Sequence, residues 1–255
     1  MGNKLKDKVA IITGGGRGIG RAIAEAYANE GANVIINAAK NKNEIEETAN
    51  KINAFPILSD ITKKSDVDNL INETLNRFGR IDILVNNAAR GMKFVNDNFM
   101  TDPKPFWEAD SEMWRMIINT NVNGVFLVTR KVILQMLKQK SGRIINISIN
   151  FETMKRKGFT PYGPSKAALE SMSIIWAQEL EGSGINLNLL LPGGATLTGM
   201  IPENFSQEQK ALLLKPEIIG PAAVYLASDE AKHINGKRII ATEWNKENGL
   251  KDAVK

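Results

Sequence analysis

Tyr162 and Lys166 are the residues whose types and spacing point most directly to proton chemistry. They stand four residues apart in the run PYGPSK, so both side chains share one face if this segment is helical. An ammonium close to a phenol favours the phenolate, which suits the pair to passing a proton to or from an alcohol or carbonyl oxygen. Such a tyrosine usually works with a second hydrogen-bonding group, and Ser148, Ile149 and Asn150 lie just upstream.

A glycine-rich run, TGGGRGIG at Thr13–Gly20, lies between the first apolar stretch and the helical pattern RAIAEAYANEGA. Glycines let the backbone turn sharply and approach a pyrophosphate, and the first N–H groups of the following helix point at that anion. A glycine cluster alone also fits an ordinary tight turn. Its position between a strand and a helix is the one that dinucleotide binding requires.

The elements that must position these residues are short β-rich runs alternating with longer amphipathic stretches. Strands that are apolar throughout and separated by helices indicate a parallel sheet covered on both faces, so we expect a doubly wound α/β fold of about seven strands. Ligands bind such sheets outside the carboxyl ends of the strands. The predicted strands are 8–13, 33–37, 55–59, 81–85, 143–148, 185–191 and 238–241, and the predicted helices are 18–30, 42–52, 64–78, 111–138, 161–181 and 216–227.

The size and composition of the chain limit its chemistry. Its 255 residues, 43% of them hydrophobic, fit one domain over 1–255, with loops at about 90–110 and 194–214 and a polar tail at about 243–255. The chain has no cysteine and a single histidine, His233, which excludes disulfides, thiolate metal sites and histidine clusters. We therefore expect no metal.

The formal net charge of +5 raises the possibility of a nucleic-acid partner. The basic residues are scattered, however, so a solvated basic surface explains the charge better. The N-terminal apolar run is too short for a signal peptide, and no run approaches the roughly 18 apolar residues of a membrane span. We expect a soluble, cytoplasmic protein with no nucleic-acid or membrane partner.

Several motifs in matching order and spacing resemble the short-chain dehydrogenase/reductase (SDR) family over nearly the whole chain. The resemblance implies the Rossmann fold of that family and, with it, nucleotide binding. The matching motifs are the glycine loop at Thr13–Gly20, SDIT at Ser59–Thr62, NNAA at Asn86–Ala89, Asn121 in NVNG, YGPSK ending at Lys166, and LPGG at Leu191–Gly194.

The resemblance implies an oxidoreductase that transfers a hydride between a nicotinamide and a carbon bearing an alcohol or ketone. Tyr162 would be the general acid and base, Lys166 would lower its pKa and hold the nicotinamide ribose, and Asn121 would anchor a water of the proton path. The predicted cofactor contacts are Gly14, Gly16, Arg17, Gly18, Ile19, Gly20, Lys40, Asp60, Ile61, Asn87, Ala88, Tyr162, Lys166, Pro192 and Gly193.

One position departs from the family pattern, because its substrate-orienting serine corresponds to Ile149, which has no hydroxyl. Ser148 is adjacent, but side chains alternate along a strand, so it should point away from the site unless a bulge rotates it. Asn150 and the more distant Thr153 are the other candidates. Two hypotheses follow: an active reductase without the usual serine, or a nucleotide-binding protein with little or no turnover.

The cofactor type is predicted from the end of the second strand. Members of the family that prefer NAD usually carry an acid there, which holds both ribose hydroxyls, and this chain has Ala38. The absence of a carboxylate permits a 2′-phosphate, and Arg17 and Lys40 would supply positive charge. We predict NADP, while NAD is possible because an arginine in the loop also occurs in members that use NAD.

The substrate and the assembly are predicted only coarsely. The long, aromatic-rich connection after NNAA would either line an apolar pocket or anchor the loop, and 196–214 is placed like the family's mobile lid. We expect a ketone or secondary alcohol with a hydrophobic portion. The resemblance implies a homo-oligomer, a dimer or tetramer, because the last strand end packs between subunits in family tetramers. Thr242, Glu243 and Trp244 stand where a glycine pair commonly follows that strand, so Trp244 would change either the interface or the rim of the pocket. The aromatic and methionine side chains of the connection include Met92, Phe94, Phe99, Phe106 and Trp107.

Overall fold

A single seven-stranded parallel sheet forms the centre of the molecule, in the order β3-β2-β1-β4-β5-β6-β7. The computed structural model describes residues 2–250. The doubly wound prediction is confirmed, and strand order reverses between β1 and β4, where this architecture places its ligand crevice. The strands are β1 (Val9–Thr13), β2 (Asn33–Ala38), β3 (Phe55–Leu58), β4 (Ile83–Asn86), β5 (Gly142–Ile147), β6 (Ile185–Leu191) and β7 (Arg238–Ile240).

Helices cover both faces of the sheet. In the central strand β1, Ala10 and Ile12 pack into a core with the helices 18–29 and 220–227, while Val9 and Ile11 pack on the opposite side with the helices 64–78, 125–139 and 162–179. Burial on both faces explains why the strands read as continuous apolar runs. The helices are α1 (Gly18–Asn29), α2 (Lys42–Ile52), α3 (Lys64–Phe78), α4 (Ser111–Ile118), α5 (Val125–Gln139), α6 (Phe151–Met154), α7 (Tyr162–Glu179), α8 (Gln207–Ala211), α9 (Gly220–Ala227) and α10 (Ala241–Glu247).

The stretch predicted as helical over 111–138 is helical throughout, but it is not a single regular α-helix. A π-helical turn, Asn119–Gly124, separates α4 from α5. Such a turn inserts extra backbone into a helix and often occurs at functional sites. Here it contains Asn121, which is buried, and Gly124, where an added Cβ would lie 2.9 Å from Cγ1 of Ile61. The irregular turn therefore carries a predicted catalytic residue.

The prediction of a loosely held tail from about residue 243 is also wrong for its first part, because α10 occupies Ala241–Glu247. Asn245 is fully buried, and its Nδ2 donates to the carbonyl oxygen of Ile218 at 2.8 Å. Trp244 packs against Tyr225 with 5.2 Å between ring centroids. Residues 251–255 of the predicted tail lie outside the described residues. Within 2–250, none of the helices combines the length and apolar character needed to cross a membrane.

Candidate active site

The glycine loop leaves β1 and enters α1 in a conformation that only glycines adopt readily. Gly14 and Gly18 have φ of +65° and +52°, in the left-handed region. A Cβ added at Gly14 would lie 3.0 Å from Cα of Ala88, so the loop also passes close to the end of β4. Arg17 directly precedes α1, and in the described structure its side chain makes no capping hydrogen bond to the helix. The helix therefore begins with N–H groups free for an anion, which fits a dinucleotide pyrophosphate.

Side chains from three strand ends hold this loop in place. Oγ1 of Thr13 accepts from the backbone N–H groups of Asn87 and Ala88, each at 3.0 Å. Nδ2 of Asn87 in turn donates to the carbonyl oxygens of Thr13 at 2.9 Å and Gly14 at 3.0 Å. Oδ1 of Asn37, at the end of β2, accepts from the N–H of Gly14 at 3.1 Å. Asn37 is absent from the predicted site residues, and its only sequence signal is a polar residue inside an apolar strand.

A cavity of about 650 Å³ opens in front of these strand ends and contains most of the predicted cofactor contacts. It is lined by ten of them, and by Thr198, Gly199 and Met200 of the segment predicted as a lid. No cluster of three or more potential metal-ligating side chains occurs within residues 2–250. The ten predicted residues in its lining are Gly14, Gly16, Arg17, Gly18, Ile19, Lys40, Asp60, Ile61, Asn87 and Ala88.

The remaining predicted contacts do not line the cavity. Gly20 packs inside the loop, since a Cβ added there would lie 2.2 Å from the carbonyl oxygen of Gly14. Pro192 is buried after β6, and Gly193, with φ of +103°, lies against the start of α10, where an added Cβ would approach Oγ1 of Thr242 to 2.0 Å. Tyr162 and Lys166 lie on α7, outside this lining. The structure thus brings together the residues of the glycine loop and places the predicted catalytic residues Tyr162 and Lys166 in a second group.

The cavity is lined by charged side chains of both signs. Nη1 of Arg17 lies 3.6 Å from Oε2 of Glu44, a residue that the sequence did not single out. Lys40 is exposed. Oδ1 of Asp60 accepts from the N–H of Thr62 at 3.0 Å and from its hydroxyl at 2.8 Å, so this carboxylate shapes the loop after β3.

Asn121 is tied both to the loop after β4 and to α7. Its Oδ1 accepts from the N–H of Arg90 at 2.8 Å, and its Nδ2 donates to the carbonyl oxygen of Arg90 at 3.0 Å. Nδ2 also contacts Oγ of Ser165 at 2.9 Å, and that hydroxyl donates to the carbonyl oxygen of Tyr162 at 2.7 Å. Ser165, which lies within the YGPSK motif, therefore joins two predicted catalytic residues.

Lys166 lies on the same face of α7 as Tyr162, as their spacing predicts. Its Nζ is 6.0 Å from the centroid of the Tyr162 ring and donates to the carbonyl oxygen of Ile147 at 2.7 Å. Burial lowers the pKa of Lys166 to about 8, although the nearby Glu170 carboxylate opposes this. The ammonium is thus fixed beside the end of β5 and loses its proton more readily than an exposed lysine.

Tyr162 does not show the expected lowered pKa in this arrangement. Its ring packs against Met92, Phe99 and Phe159, a small apolar cluster that joins the loop after β4 to the start of α7. Burial raises the pKa of the phenol above its usual value. The desolvation outweighs the ammonium at this distance, so the hydroxyl stays protonated and able to donate.

Ser148, Ile149 and Asn150, the residues at and beside the position of the family's serine, directly follow β5. Oγ of Ser148 donates to Oε1 of Glu170 at 2.5 Å, so this hydroxyl is engaged inside the protein. Oδ1 of Asn150 accepts from the N–H of Thr153 at 3.1 Å and caps the short helix α6. Ile149 is half-buried. The hydroxyl of Ser148 is therefore not available in place of the serine, whereas Asn150 uses only its amide oxygen in the helix cap.

A buried ion pair stabilises this strand end. Nε of Arg238, from β7, lies 3.0 Å from Oε1 of Glu170, and a terminal guanidinium nitrogen donates to the carbonyl oxygen of Ile149 at 2.8 Å. The guanidinium also stacks 4.0 Å from the ring centroid of Phe151. Neither charged residue was predicted, because their contact joins positions 68 residues apart in sequence.

The loop after β4 and the predicted lid are in contact. Nζ of Lys93 lies 2.7 Å from Oε1 of Glu203, and Nδ2 of Asn204 donates to Oδ1 of Asn98 at 3.0 Å. Of the side chains predicted to line a pocket or anchor the loop, Met92 and Phe99 are buried anchors, and Phe94 lines the cavity. Phe106 and Trp107 are exposed and pack on each other.

Comparisons with known proteins agree with this geometry. A family model described as short chain dehydrogenase matches residues 8–209. The 3-oxoacyl-[acyl-carrier-protein] reductases of Thermotoga maritima and Staphylococcus epidermidis are 32% and 34% identical to this chain, covering 92% and 91% of it and 96% of each relative.

Two solved structures resemble the chain over nearly its full length. A 3-ketoacyl-(acyl-carrier-protein) reductase from Brucella melitensis, complexed with NADH, is 30% identical with a TM-score of 0.81, covering 92% of this chain and 96% of that one. A short-chain type dehydrogenase/reductase from Mycobacterium marinum is 27% identical with a TM-score of 0.81, covering 93% and 94%.

Proposed function

Because the chain belongs to the SDR family and is an NAD(P)-dependent oxidoreductase acting on CH–OH or C=O groups, we propose that it transfers a hydride between NADP(H) and a ketone or secondary alcohol with Tyr162 as general acid and base. The observation that carries this proposal is the linked arrangement on α7. Tyr162 and Lys166 share one face, and Ser165 connects that helix turn to Asn121.

The chain's own groups suit the reduction of a carbonyl. When bound, the nicotinamide supplies the hydride. The protonated hydroxyl of Tyr162 donates to the carbonyl oxygen of the substrate as negative charge develops there. Lys166, fixed by the carbonyl oxygen of Ile147, provides positive charge on the same helix face and can hold ribose hydroxyls. Asn121 would anchor the water that restores the proton to Tyr162.

The site works in this proposal without a side-chain donor at residue 149. Losing one donor to a developing oxyanion typically costs on the order of a hundredfold in turnover. Tyr162 still donates to the same oxygen, so chemistry continues at a reduced rate. The hydroxyl of Ser148 donates to Glu170, which supports leaving the serine role vacant at this neighbour, and Asn150 commits its amide oxygen to the cap of α6.

The proposed cofactor site joins the cavity to the proton-transfer group. The glycine loop and the start of α1 would take the pyrophosphate, and the strand ends would take the adenosine and nicotinamide halves. We include Pro192 and Gly193, at the end of β6, as contacts on the nicotinamide side. The other proposed contacts are Gly14, Gly16, Arg17, Gly18, Ile19, Gly20, Lys40, Asp60, Ile61, Asn87, Ala88, Tyr162 and Lys166.

NADP is proposed over NAD because the last residue of β2 is not an acid. Ala38 ends that strand, and Arg17 and Lys40 line the same cavity as two cations suited to a 2′-phosphate. The NADH bound to the Brucella melitensis reductase keeps NAD as the second possibility.

The proposed substrate is a ketone or secondary alcohol with a hydrophobic portion. Phe94 and Met200 line the cavity, and Met92 and Phe99 pack against Tyr162. Relatives named for 3-oxoacyl carrier-protein substrates support including 3-oxoacyl thioesters among the candidates.

A homo-oligomer is also proposed, on the basis of exposed apolar side chains along α5 and α7. Phe126 of α5 lies 6.4 Å from Trp176 of α7 between ring centroids, and Ile174 and Ile175, which precede Trp176 on α7, are exposed. We call Phe126, Ile174, Ile175 and Trp176 the α5–α7 face. An apolar face of this kind on a soluble domain is typical of a protein interface.

The test of the proposed activity is ketone-dependent NADPH oxidation. Diketones, cyclic ketones, quinones, aldehydes and 3-oxoacyl thioesters are compared with wild type and with Tyr162→Phe, after nucleotide binding has been confirmed by fluorescence. We expect turnover with at least one class and a loss of at least about a hundredfold in Tyr162→Phe with unchanged NADPH binding. Turnover that survives in Tyr162→Phe would contradict the role of this residue.

A further inference from the structure

Glu44 places a carboxylate at the end of the cavity where the cofactor-selecting charges lie. It belongs to the first turn of α2, where its N–H donates to Oδ1 of Asn41 at 3.2 Å. Nδ2 of Asn41 also contacts Oε2 of the Glu44 carboxylate at 3.3 Å. The side chain lines the cavity together with Arg17 and Lys40. The end of β2 has Ala38 instead of an acid, but Glu44, six positions further along the chain, places a carboxylate in the same cavity.

The carboxylate contacts the cation that would select a 2′-phosphate. Nη1 of Arg17 lies 3.6 Å from Oε2 of Glu44, whose side chain is 22% exposed, whereas that of Arg17 is 66% exposed. A Cβ added at Gly16 would lie 3.1 Å from Oε1 of Glu44, so the carboxylate lies against the glycine loop. The more buried and more restrained partner of this pair is the acid.

The position of Glu44 should affect NADP(H) and NAD(H) differently. A 2′-phosphate must compete with Glu44 for the guanidinium of Arg17 and tolerate a nearby negative charge. A ribose with free hydroxyls meets no such conflict, because hydroxyls can donate to a carboxylate. Positive charge at Arg17 and Lys40 favours NADP(H), and Glu44 weakens that preference.

We propose that Glu44 is a specificity-determining residue that, by pairing with Arg17, limits the preference for a 2′-phosphate and keeps NAD(H) acceptable. This inference rests on the proposed use of the cavity by NADP(H). It predicts a modest preference for NADP(H) in the wild-type protein and a stronger one when the carboxylate is neutralised.

The experiment measures dissociation constants of NADPH and NADH by fluorescence, without ketone, for wild type, Glu44→Gln and Glu46→Gln. Glu44→Gln should tighten NADPH binding about two- to fivefold and change NADH binding by less than about twofold. Glu46→Gln is the matched control, because this residue is in the same helix, pairs with Lys42 and does not line the cavity. It should leave both constants unchanged.

The same titrations in an Arg17→Gln background test whether Glu44 acts through Arg17. The effect of Glu44→Gln on NADPH binding should shrink there by at least half, as expected for two coupled residues. An unchanged ratio of NADPH to NADH affinity in Glu44→Gln, or an effect of equal size without Arg17, would overturn the inference. Failure of wild type to bind either nucleotide would instead overturn the proposed function, and this inference with it.

Discussion

At the scale of single residues, burial sets the protonation states of the proposed catalytic pair. Desolvation raises the pKa of Tyr162 and lowers that of Lys166 to about 8. The phenol is therefore held as a proton donor, which suits carbonyl reduction, and the lysine is poised to lose its charge in mildly alkaline solution. Asn121 is positioned by the backbone of Arg90 and by Ser165 rather than by either member of the pair.

The lowered pKa of Lys166 gives a pH-dependent stability. Between about pH 8 and 10.5 the unfolded chain binds a proton at this lysine that the folded protein does not, so the free energy of unfolding should rise with pH through this window. The rise from pH 8 to 10 should be about 2 kcal/mol more in wild type than in Lys166→Met. Denaturant unfolding at pH 8, 9 and 10 checks this, and parallel curves for the two proteins would contradict it.

The residues predictable from sequence are those that belong to short motifs. The glycine loop, Asn87 and the pair on α7 could be singled out because each lies in a short motif that resembles one of the family. Asn37 and Glu44 could not, because their partners Gly14 and Arg17 come from other segments of the chain. Their contacts depend on the packing of side chains across the sheet, which no spacing rule describes.

At the scale of elements, the Arg238–Glu170 pair links β7, α7 and the end of β5. Glu170 also accepts from Ser148, and Arg238 donates to the carbonyl oxygen of Ile149. This network fixes the strand end that in the family carries the serine. It explains why Ser148 points into the protein, as alternation along the strand predicts.

Removing Arg238 should destabilise the protein strongly, because Glu170 would remain buried without its counter-charge. Arg238→Met should lower the free energy of unfolding by about 3 kcal/mol, and adding Glu170→Gln should recover part of the loss. Lys42→Met, which breaks an exposed pair with Glu46, is the control and should cost less than about 0.5 kcal/mol. Chemical denaturation measures all of these variants. A loss in Arg238→Met no greater than in the control would refute the role of the network.

The helices and strands that were predicted well are those with a clear hydrophobic pattern in the sequence. The strands are buried on both faces, so their continuous apolar runs were recognisable to within a few residues. The π-helical turn at Asn119–Gly124 could not be predicted, because the sequence pattern of 111–138 does not distinguish it from a regular α-helix. The helix α10 is polar in sequence and forms because Asn245 and Trp244 dock on the body of the protein.

At the scale of the whole molecule, the sheet brings the ends of β1, β2, β3, β4 and β5 to one edge. The cavity and the proton-transfer group both lie along this edge, where the doubly wound topology predicts a ligand site. The position of the cavity could therefore be predicted, whereas the contact between the loop after β4 and the segment 196–214 could not. That contact joins polar side chains of two irregular segments, such as Lys93 and Glu203.

The proposed assembly predicts that a charge on the α5–α7 face dissociates the oligomer. Ile175→Lys should reduce the mass in solution to that of a monomer, because a lysine cannot be buried in an apolar interface without a partner. Leu212→Lys, at a more exposed apolar position after α8 and outside this face, should leave the mass unchanged. Light scattering after size exclusion gives both masses, and an oligomer that persists in Ile175→Lys would exclude this face as the interface.

The most direct test of the central claim is the rate of ketone-dependent NADPH oxidation by wild type and by Ile149→Ser at equal nucleotide saturation. An active reductase that works through Tyr162 without the serine should show measurable turnover in wild type. Ile149→Ser should raise that rate by up to about a hundredfold, because it restores a donor to the developing oxyanion. Tight NADPH binding with no turnover in wild type, and activity only in Ile149→Ser, would contradict the claim that the site turns over as it stands.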